Sequence, residues 1–142
     1  MPTISGIATR INKRNAIGDL FLPGAFNDFI SQWEAGRTPK VNLLNSHRGR
    51  HDAREIVGEI TKLSANNMRL SFDADVETGT LAGREIFTLA INKRVDRLSA
   101  GYMPVEYKTV EKGWDIEIAH LWEVSIVMRG ADPGARITAV KE

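Results

Sequence analysis

Two side chains in this sequence fit acyl-transfer chemistry: His47, whose imidazole takes up a proton near neutral pH, and Ser99, whose hydroxyl needs such a base before it can attack. His47 follows the apolar run Val41, Leu43 and Leu44, so a short strand delivers it to the basic loop His47 to Arg54. A strand end holds a side chain more firmly than a mobile loop does. Ser99 stands in Arg97-Leu98-Ser99-Ala100-Gly101-Tyr102, where Ala100 and Gly101 are small enough to let a substrate backbone approach the hydroxyl. Taken singly, each residue has a plainer reading: His47 caps its strand, and Ser99 is the one polar residue of a tightly packed strand. The segment is not the Gly-x-Ser-x-Gly elbow of α/β-hydrolases.

A third candidate stretch is Ile118-Ala119-His120-Leu121-Trp122-Glu123-Val124-Ser125-Ile126-Val127, an apolar strand interrupted by an imidazole and a carboxylate. Both groups need partners if the strand is buried. In an unbroken strand Trp114, Ile116, Ile118, His120, Trp122, Val124 and Ile126 share one face while Glu123 and Ser125 share the other, so His120 and Glu123 cannot both serve one site. The plainer alternative pairs Glu123 with an arginine and makes His120 a satisfied core histidine. No metal site stands out, because His47-x-x-x-His51 lies among Arg48, Gly49 and Arg50 in a segment without helical periodicity. No phosphate-cradling loop of the Walker type is present either.

The elements that must position these residues are mostly strands. Met68 to Val76 alternates apolar Met68, Leu70, Phe72, Ala74 and Val76 with polar Arg69, Ser71, Asp73 and Asp75. Less regular β patterns occur at Ile4 to Ile11, Ile17 to Leu22, Val41 to Asn45, Ile56 to Leu63, Arg97 to Val110 and Trp114 to Val127. Turns are expected at Asn66-Asn67 and Lys112-Gly113. Helical spacing places Phe26, Phe29, Ile30 and Trp33 on one stripe, with Gly36 as a C-terminal cap. A second helix begins at Thr80, turns Ala82, Ile86, Leu89 and Ala90 inward, and meets Lys93 and Arg94 at its negative end. These elements describe a small, mainly antiparallel barrel or sandwich with helices packed outside.

Composition narrows the classes. The 142 residues suit a single domain, 1–142, and contain no repeat or linker-like run. No apolar stretch approaches a bilayer span and Met1 to Arg10 lacks the pattern of a signal peptide, so a soluble protein made in a cytoplasm is expected, with no membrane partner. With no cysteine, disulfides, thiolate metal sites and a cysteine nucleophile are excluded. Nineteen basic and eighteen acidic side chains give a formal charge of +1, which exerts little long-range pull on nucleic acid even though Arg48, Arg50 and Arg54 form a basic loop, so no nucleic-acid partner is expected.

In chain order the pieces are Leu22-Pro23-Gly24-Ala25-Phe26, Asn45-Ser46-His47, Ile56-Val57-Gly58, Leu98-Ser99-Ala100-Gly101-Tyr102 and Leu121-Trp122-Glu123-Val124-Ser125-Ile126-Val127. That set resembles the prohead maturation proteases of tailed bacteriophages, serine endopeptidases distantly related to the herpesvirus capsid maturation protease. The resemblance runs from about Gly6 to Ile137 and implies a seven-stranded β-barrel surrounded by helices. It implies Ser99 as nucleophile, His47 as general base and Glu123 as third member, phage members favouring a carboxylate there, with a bulge near Trp122 reversing the alternation so that Glu123 reaches the site. His120 is the alternative, because the herpesvirus enzymes use a second histidine that opens a similar strand. After Val127 the chain departs from the phage pattern: Met128-Arg129-Gly130-Ala131-Asp132-Pro133 replaces Thr-Phe-Pro-Ala-Asn-Pro. Arg129 stands where the herpesvirus enzymes carry an arginine that helps stabilise the oxyanion, so backbone near Arg129 or Gly130 is a candidate oxyanion site, with Ala100 and Gly101 flanking the substrate backbone.

The resemblance further implies that the substrates are a scaffold protein or the scaffolding region of the major capsid protein, together with the protease itself. Cleavage would take place inside the prohead in the host cytoplasm, without metal or organic cofactor. A homo-oligomer is left open. The rival from another class is a catalytically silent capsid-assembly or scaffold-binding module of the same fold. A second rival is a small barrel that binds nucleic acid through Arg48, Arg50 and Arg54, whose mark would be a steep salt dependence.

Overall fold

The computed structural model describes residues 1–142. In chain order its elements are β1 (Thr3–Arg10), β2 (Leu20–Phe21), α1 (Asn27–Glu34), β3 (Asn42–Asn45), β4 (Ile56–Ala65) and β5 (Arg69–Val76), followed by α2 (Leu81–Ile91), β6 (Arg97–Val110), β7 (Gly113–Val127) and β8 (Arg136–Lys141). Two short 3₁₀ turns, His47–Arg50 and Ala53–Glu55, separate β3 from β4.

Seven strands close into a barrel in the order β7-β3-β4-β5-β1-β8-β6, with β6 returning to β7. The alternation read in β5 holds: Leu70, Phe72, Ala74 and Val76 are buried while Arg69, Ser71, Asp73 and Asp75 are not. Inward side chains from the ring, among them Ile4, Leu43, Val57, Leu98 and Val124, fill the interior with essentially no exposure. Each such side chain stabilises the fold by about 1.5–3 kcal/mol through removal of apolar surface from water. Pairing is antiparallel except for β3 and β2, which both run parallel to β7. The number of barrel strands agrees with the expectation, but one member differs. Ile17 to Leu22 yields only the two-residue β2, which lies outside the ring. Gly18 presses against the Lys112 carbonyl in a left-handed conformation and turns the chain there instead of extending it. The missing barrel strand is β8, which the sequence reading passed over because only Ile137, Ala139 and Val140 are apolar among its six residues.

The helices pack outside. Phe29 of α1 and Phe26 at its N-cap are buried, and the helix ends in a Schellman arrangement: Gly36 N–H donates to the Trp33 carbonyl at 3.0 Å and Arg37 N–H to the Gln32 carbonyl at 2.9 Å, with Gly36 at φ 74°. The hydroxyl of Thr80 caps α2 by accepting from Gly83 N–H at 3.1 Å. Its buried stripe is Gly83, Ile86, Phe87 and Ala90, so Leu89, expected inward, is 41% exposed. The rotation follows from Gly83, whose missing side chain lets the helix lie on the Glu77 carbonyl. Lys93 and Arg94 fall beyond the last turn rather than within it. Met68, expected on the buried face of β5, lies at the hairpin turn and is 65% exposed.

The loop after β7 is tied to β1 by a buried charge. Asp132 accepts from Arg10 N–H at 2.6 Å, the Arg10 Nε at 2.7 Å, Gly134 N–H at 2.8 Å and the Thr9 hydroxyl at 3.3 Å. Burial by itself raises the Asp132 pKa, but the two amides and the guanidinium outweigh it, and the net shift is downward. A lowered folded pKa contributes stability that is present above the ordinary carboxylate value of about 4 and lost as pH falls through the folded value. Asp132→Asn is therefore expected to cost about 2–4 kcal/mol at pH 7. Thermal unfolding of both proteins from pH 7 to pH 2 checks this: the gap in Tm begins to narrow below about pH 4 and shrinks further as pH falls. A gap constant over that range would mean that the carboxylate charge contributes nothing.

Candidate active site

Three neighbouring strands build the site. β7 lies between β6 and β3, and the register sets Ser99 opposite Ser125, Gly101 opposite Glu123, and Leu44 beside Ser125. Leu98, Val124, Ile126 and Leu43 point into the barrel, so Ser99, Glu123 and Ser125 share the other face. β3 ends at Asn45, and His47 follows at the start of the first 3₁₀ turn.

The chain departs from straight-strand alternation just before Glu123. Gly101 pairs with Glu123 but Tyr102 pairs with Leu121, which leaves Trp122 as the extra residue of a β-bulge. Leu121 and Val124 consequently both face the core, three residues apart, and Trp122 is 56% exposed. The expected common face of His120, Trp122 and Val124 does not form. His120 packs at 5.7 Å from the ring of Phe29, under α1, and is not part of the cleft that holds His47.

Ser46 turns the chain into the site through a backbone conformation that favours glycine, φ 54° and ψ 179°. Such geometry costs on the order of 1–3 kcal/mol and persists where surroundings over-determine it. Here Ser46 N–H donates to the Ile126 carbonyl at 2.8 Å, fixing the turn to β7. The kink aims His47 back over β7, where its Nδ1 lies 2.6 Å from Glu123 Oε1. Glu123 is 4% exposed. With Nδ1 donating to that carboxylate, the imidazole carries its lone pair on Nε2.

The same oxygen of Glu123 also accepts from Arg50, at 2.9 Å from Nε and 2.8 Å from Nη2, and from the Ser125 hydroxyl at 3.2 Å. Its Oε2 is buried without a partner, the kind of unsatisfied group that collects at functional sites. Arg50 reaches Glu123 because a 3₁₀ turn eclipses residues three apart, bringing His47 and Arg50 to one side. Gly101 makes room: a Cβ there would meet Glu123 Cγ at 2.4 Å and Arg50 Nη2 at 2.5 Å. Neither Arg50 nor Ser125 stood out in the sequence as a site residue. Arg50 reads as one of several loop arginines until the turn is known.

His47 and Ser99 line one surface cleft of about 450 Å³, together with Arg50, Ala100, Gly101, Tyr102 and Arg129. The Ser99 hydroxyl makes no hydrogen bond within the protein. Gly130 packs backbone to backbone against β6, since a Cβ there would lie 2.3 Å from the Leu98 carbonyl, so the Arg129–Gly130 segment sits beside the nucleophile candidate. β8 joins β6 only at Arg97, which leaves the outer edge of β6 without a partner strand from Ser99 onward. Of the residues selected from sequence, His47, Ser99, Ala100, Gly101 and Arg129 meet in this cleft; Glu123 lies beneath it and His120 lies elsewhere.

The fold has a counterpart among solved structures. The capsid assembly protease gp21 of bacteriophage T4 superposes with a TM-score of 0.65 at 11% identity, over 95% of this chain and 80% of that one. At that identity the likeness concerns the fold alone. No curated protein sequence matches the chain. The family model of the caudovirus prohead serine proteases matches residues 1–142, the whole of the sequence on which this fold and cleft are built, and the chain belongs to that family.

Proposed function

We propose that this chain is the serine endopeptidase of prohead maturation, with Ser99 as nucleophile, His47 as general base and Glu123 as the group that orients the base. The observation that carries the reading is the order β6-β7-β3, which sets the Ser99 strand and the His47 turn on either side of the Glu123 carboxylate. His47 Nε2 takes the proton of Ser99 as Oγ attacks the scissile carbonyl, then returns it to the leaving amine. Water, activated by the same imidazole, releases the acyl group. Glu123 holds the ring at Nδ1 and offsets the positive charge that develops on it. Backbone N–H groups of the Arg129–Gly130 segment stabilise the oxyanion, and the open edge of β6 binds the substrate as an extended strand. No metal or organic cofactor enters this chemistry.

The substrates are the scaffold protein or the scaffolding region of the major capsid protein, and the protease itself. Co-expression of the chain with the scaffold and capsid proteins of its own phage tests this. Discrete shortened products, located by mass spectrometry, are expected. Intact proteins that nevertheless bind the chain would favour the catalytically silent assembly module.

Glu123 and His120 are separable by mutation. Glu123→Gln is expected to lower kcat on the order of 10²- to 10⁴-fold, and His120→Ala only a few-fold. Turnover of both proteins, with thermal unfolding as a folding control, decides. A crippled His120→Ala beside a near-normal Glu123→Gln would make the triad Ser, His, His.

A further inference from the structure

One buried carboxylate in the cleft has no part in the mechanism above. Asp19 is 7% exposed yet lines the same cleft as Ser99 and His47. Its Oδ2 accepts from the Tyr102 hydroxyl, which burial and then the Asp19 hydrogen bond push well above the ordinary phenol range, so Tyr102 stays a donor. No protein group donates to Oδ1, and that oxygen is not sealed in the interior, because Glu123 Oε2 is the one buried side-chain oxygen without a partner. No cation neutralises the charge either. Of the two basic residues in the same loop, Lys13 is exposed and forms no ion pair, and Arg14 is committed to the Gly18 carbonyl and to Asp115, each at 2.7 Å.

The surroundings hold this carboxylate in place rather than hiding it. Asn15 Oδ1 accepts from Asp19 N–H at 2.9 Å, and Asn15 N–H donates to the Asp19 carbonyl at 2.8 Å. The same cleft is lined by Ile17, Pro104 and Trp114, apolar groups of which Ile17 is 64% exposed. Apolar walls with a carboxylate at the base suit a side chain that has a methylene stem and a cationic head. The other charged groups of the cleft are cations, and Arg50 is already paired with Glu123. An unpaired carboxylate is costly to bury unless a partner arrives to pair it.

We propose that Asp19 is the base of a side-chain subsite that selects a lysine or arginine next to the scissile bond. This rests on the proteolytic reading of the cleft and names the substrate feature which that cleft recognises. Asparagine at position 19 keeps the shape and can still accept from Tyr102, so it removes the charge with little else.

The experiment digests a proteome-derived peptide library with the full chain and with Asp19→Asn, and reads residue preferences on both sides of each cut by mass spectrometry. Wild type is expected to enrich Lys and Arg at one position, and the variant to lose that enrichment. On matched peptides the lysine-to-norleucine ratio of kcat/KM should fall from on the order of 10- to 100-fold to near one. The wild-type enzyme gives a second readout that needs no variant: n-butylammonium should compete with the lysine peptide and n-butanol should not. Cleavage with an unchanged ratio, or equal inhibition by the two additives, would overturn the subsite and leave Asp19 as an anchor for Tyr102. Absence of cleavage together with absence of fluorophosphonate labelling of wild-type Ser99 would overturn the proteolytic reading, and the subsite with it.

Discussion

Ser99→Ala is expected to lower peptide turnover on the order of a millionfold while leaving thermal unfolding close to wild type. The hydroxyl makes no hydrogen bond within the protein and sits on the outward face of β6, so its loss opens no cavity and orphans no partner. The chemistry has no substitute for it: the chain has no cysteine, and Ser125, the serine directly across the ladder, is fully buried and turned to Glu123 and His47. Purified protein and a quenched-fluorescent peptide carrying a capsid or scaffold cleavage sequence measure the effect. Turnover that persists in the variant would remove Ser99 from the mechanism.

His47→Ala is expected to be about as damaging, and the double variant no worse than either single one, because a nucleophile and its base act as one unit. Loss of the imidazole also deprives Glu123 of its 2.6 Å partner, but Arg50 still pairs with the same oxygen, so the buried carboxylate is not left uncompensated. The fold should therefore survive, with a stability change within about 1 kcal/mol. Comparison of single and double variants in one turnover assay gives the answer. Losses that multiply would show that the two residues do not share a step.

Much of this was legible in the sequence for a physical reason: one-sided burial forces alternation. β5 shows it directly, and β1, β3, β4, β6 and β7 fall within a few residues of their apolar patterns. The caps Thr80 and Gly36 were legible because cap chemistry is local. What escaped depends on contacts distant in sequence. β8 is recognisable as a barrel strand only by its pairings with β1 and β6. The inward stripe of α2 rotates because Gly83 meets Glu77. The bulge at Trp122 was legible only as a condition for Glu123 to reach the site; it is a property of the β6–β7 register, and nothing in the string Leu121-Trp122-Glu123 itself marks it.

The candidate site divides in the same way. His47 and Ser99 were selected as types in motif positions, and the three-strand order brings their elements together. Arg50 and the room that Gly101 gives it became visible only with the 3₁₀ turn, which hangs on the left-handed Ser46 and its bond to Ile126. Asp19 was passed over because its segment reads as a strand, whereas the chain there is a turn that carries the carboxylate into the cleft.

A Ser99 hydroxyl activated by His47 reacts covalently with an electrophile that mimics the scissile carbonyl, and labelling reads that reaction. The purified chain is incubated with a fluorophosphonate, digested and mapped by mass spectrometry. A single adduct on Ser99 is predicted, absent from Ser99→Ala and formed far more slowly in His47→Ala. An adduct on another serine, Ser125 above all, or no adduct on folded wild-type protein, would contradict it.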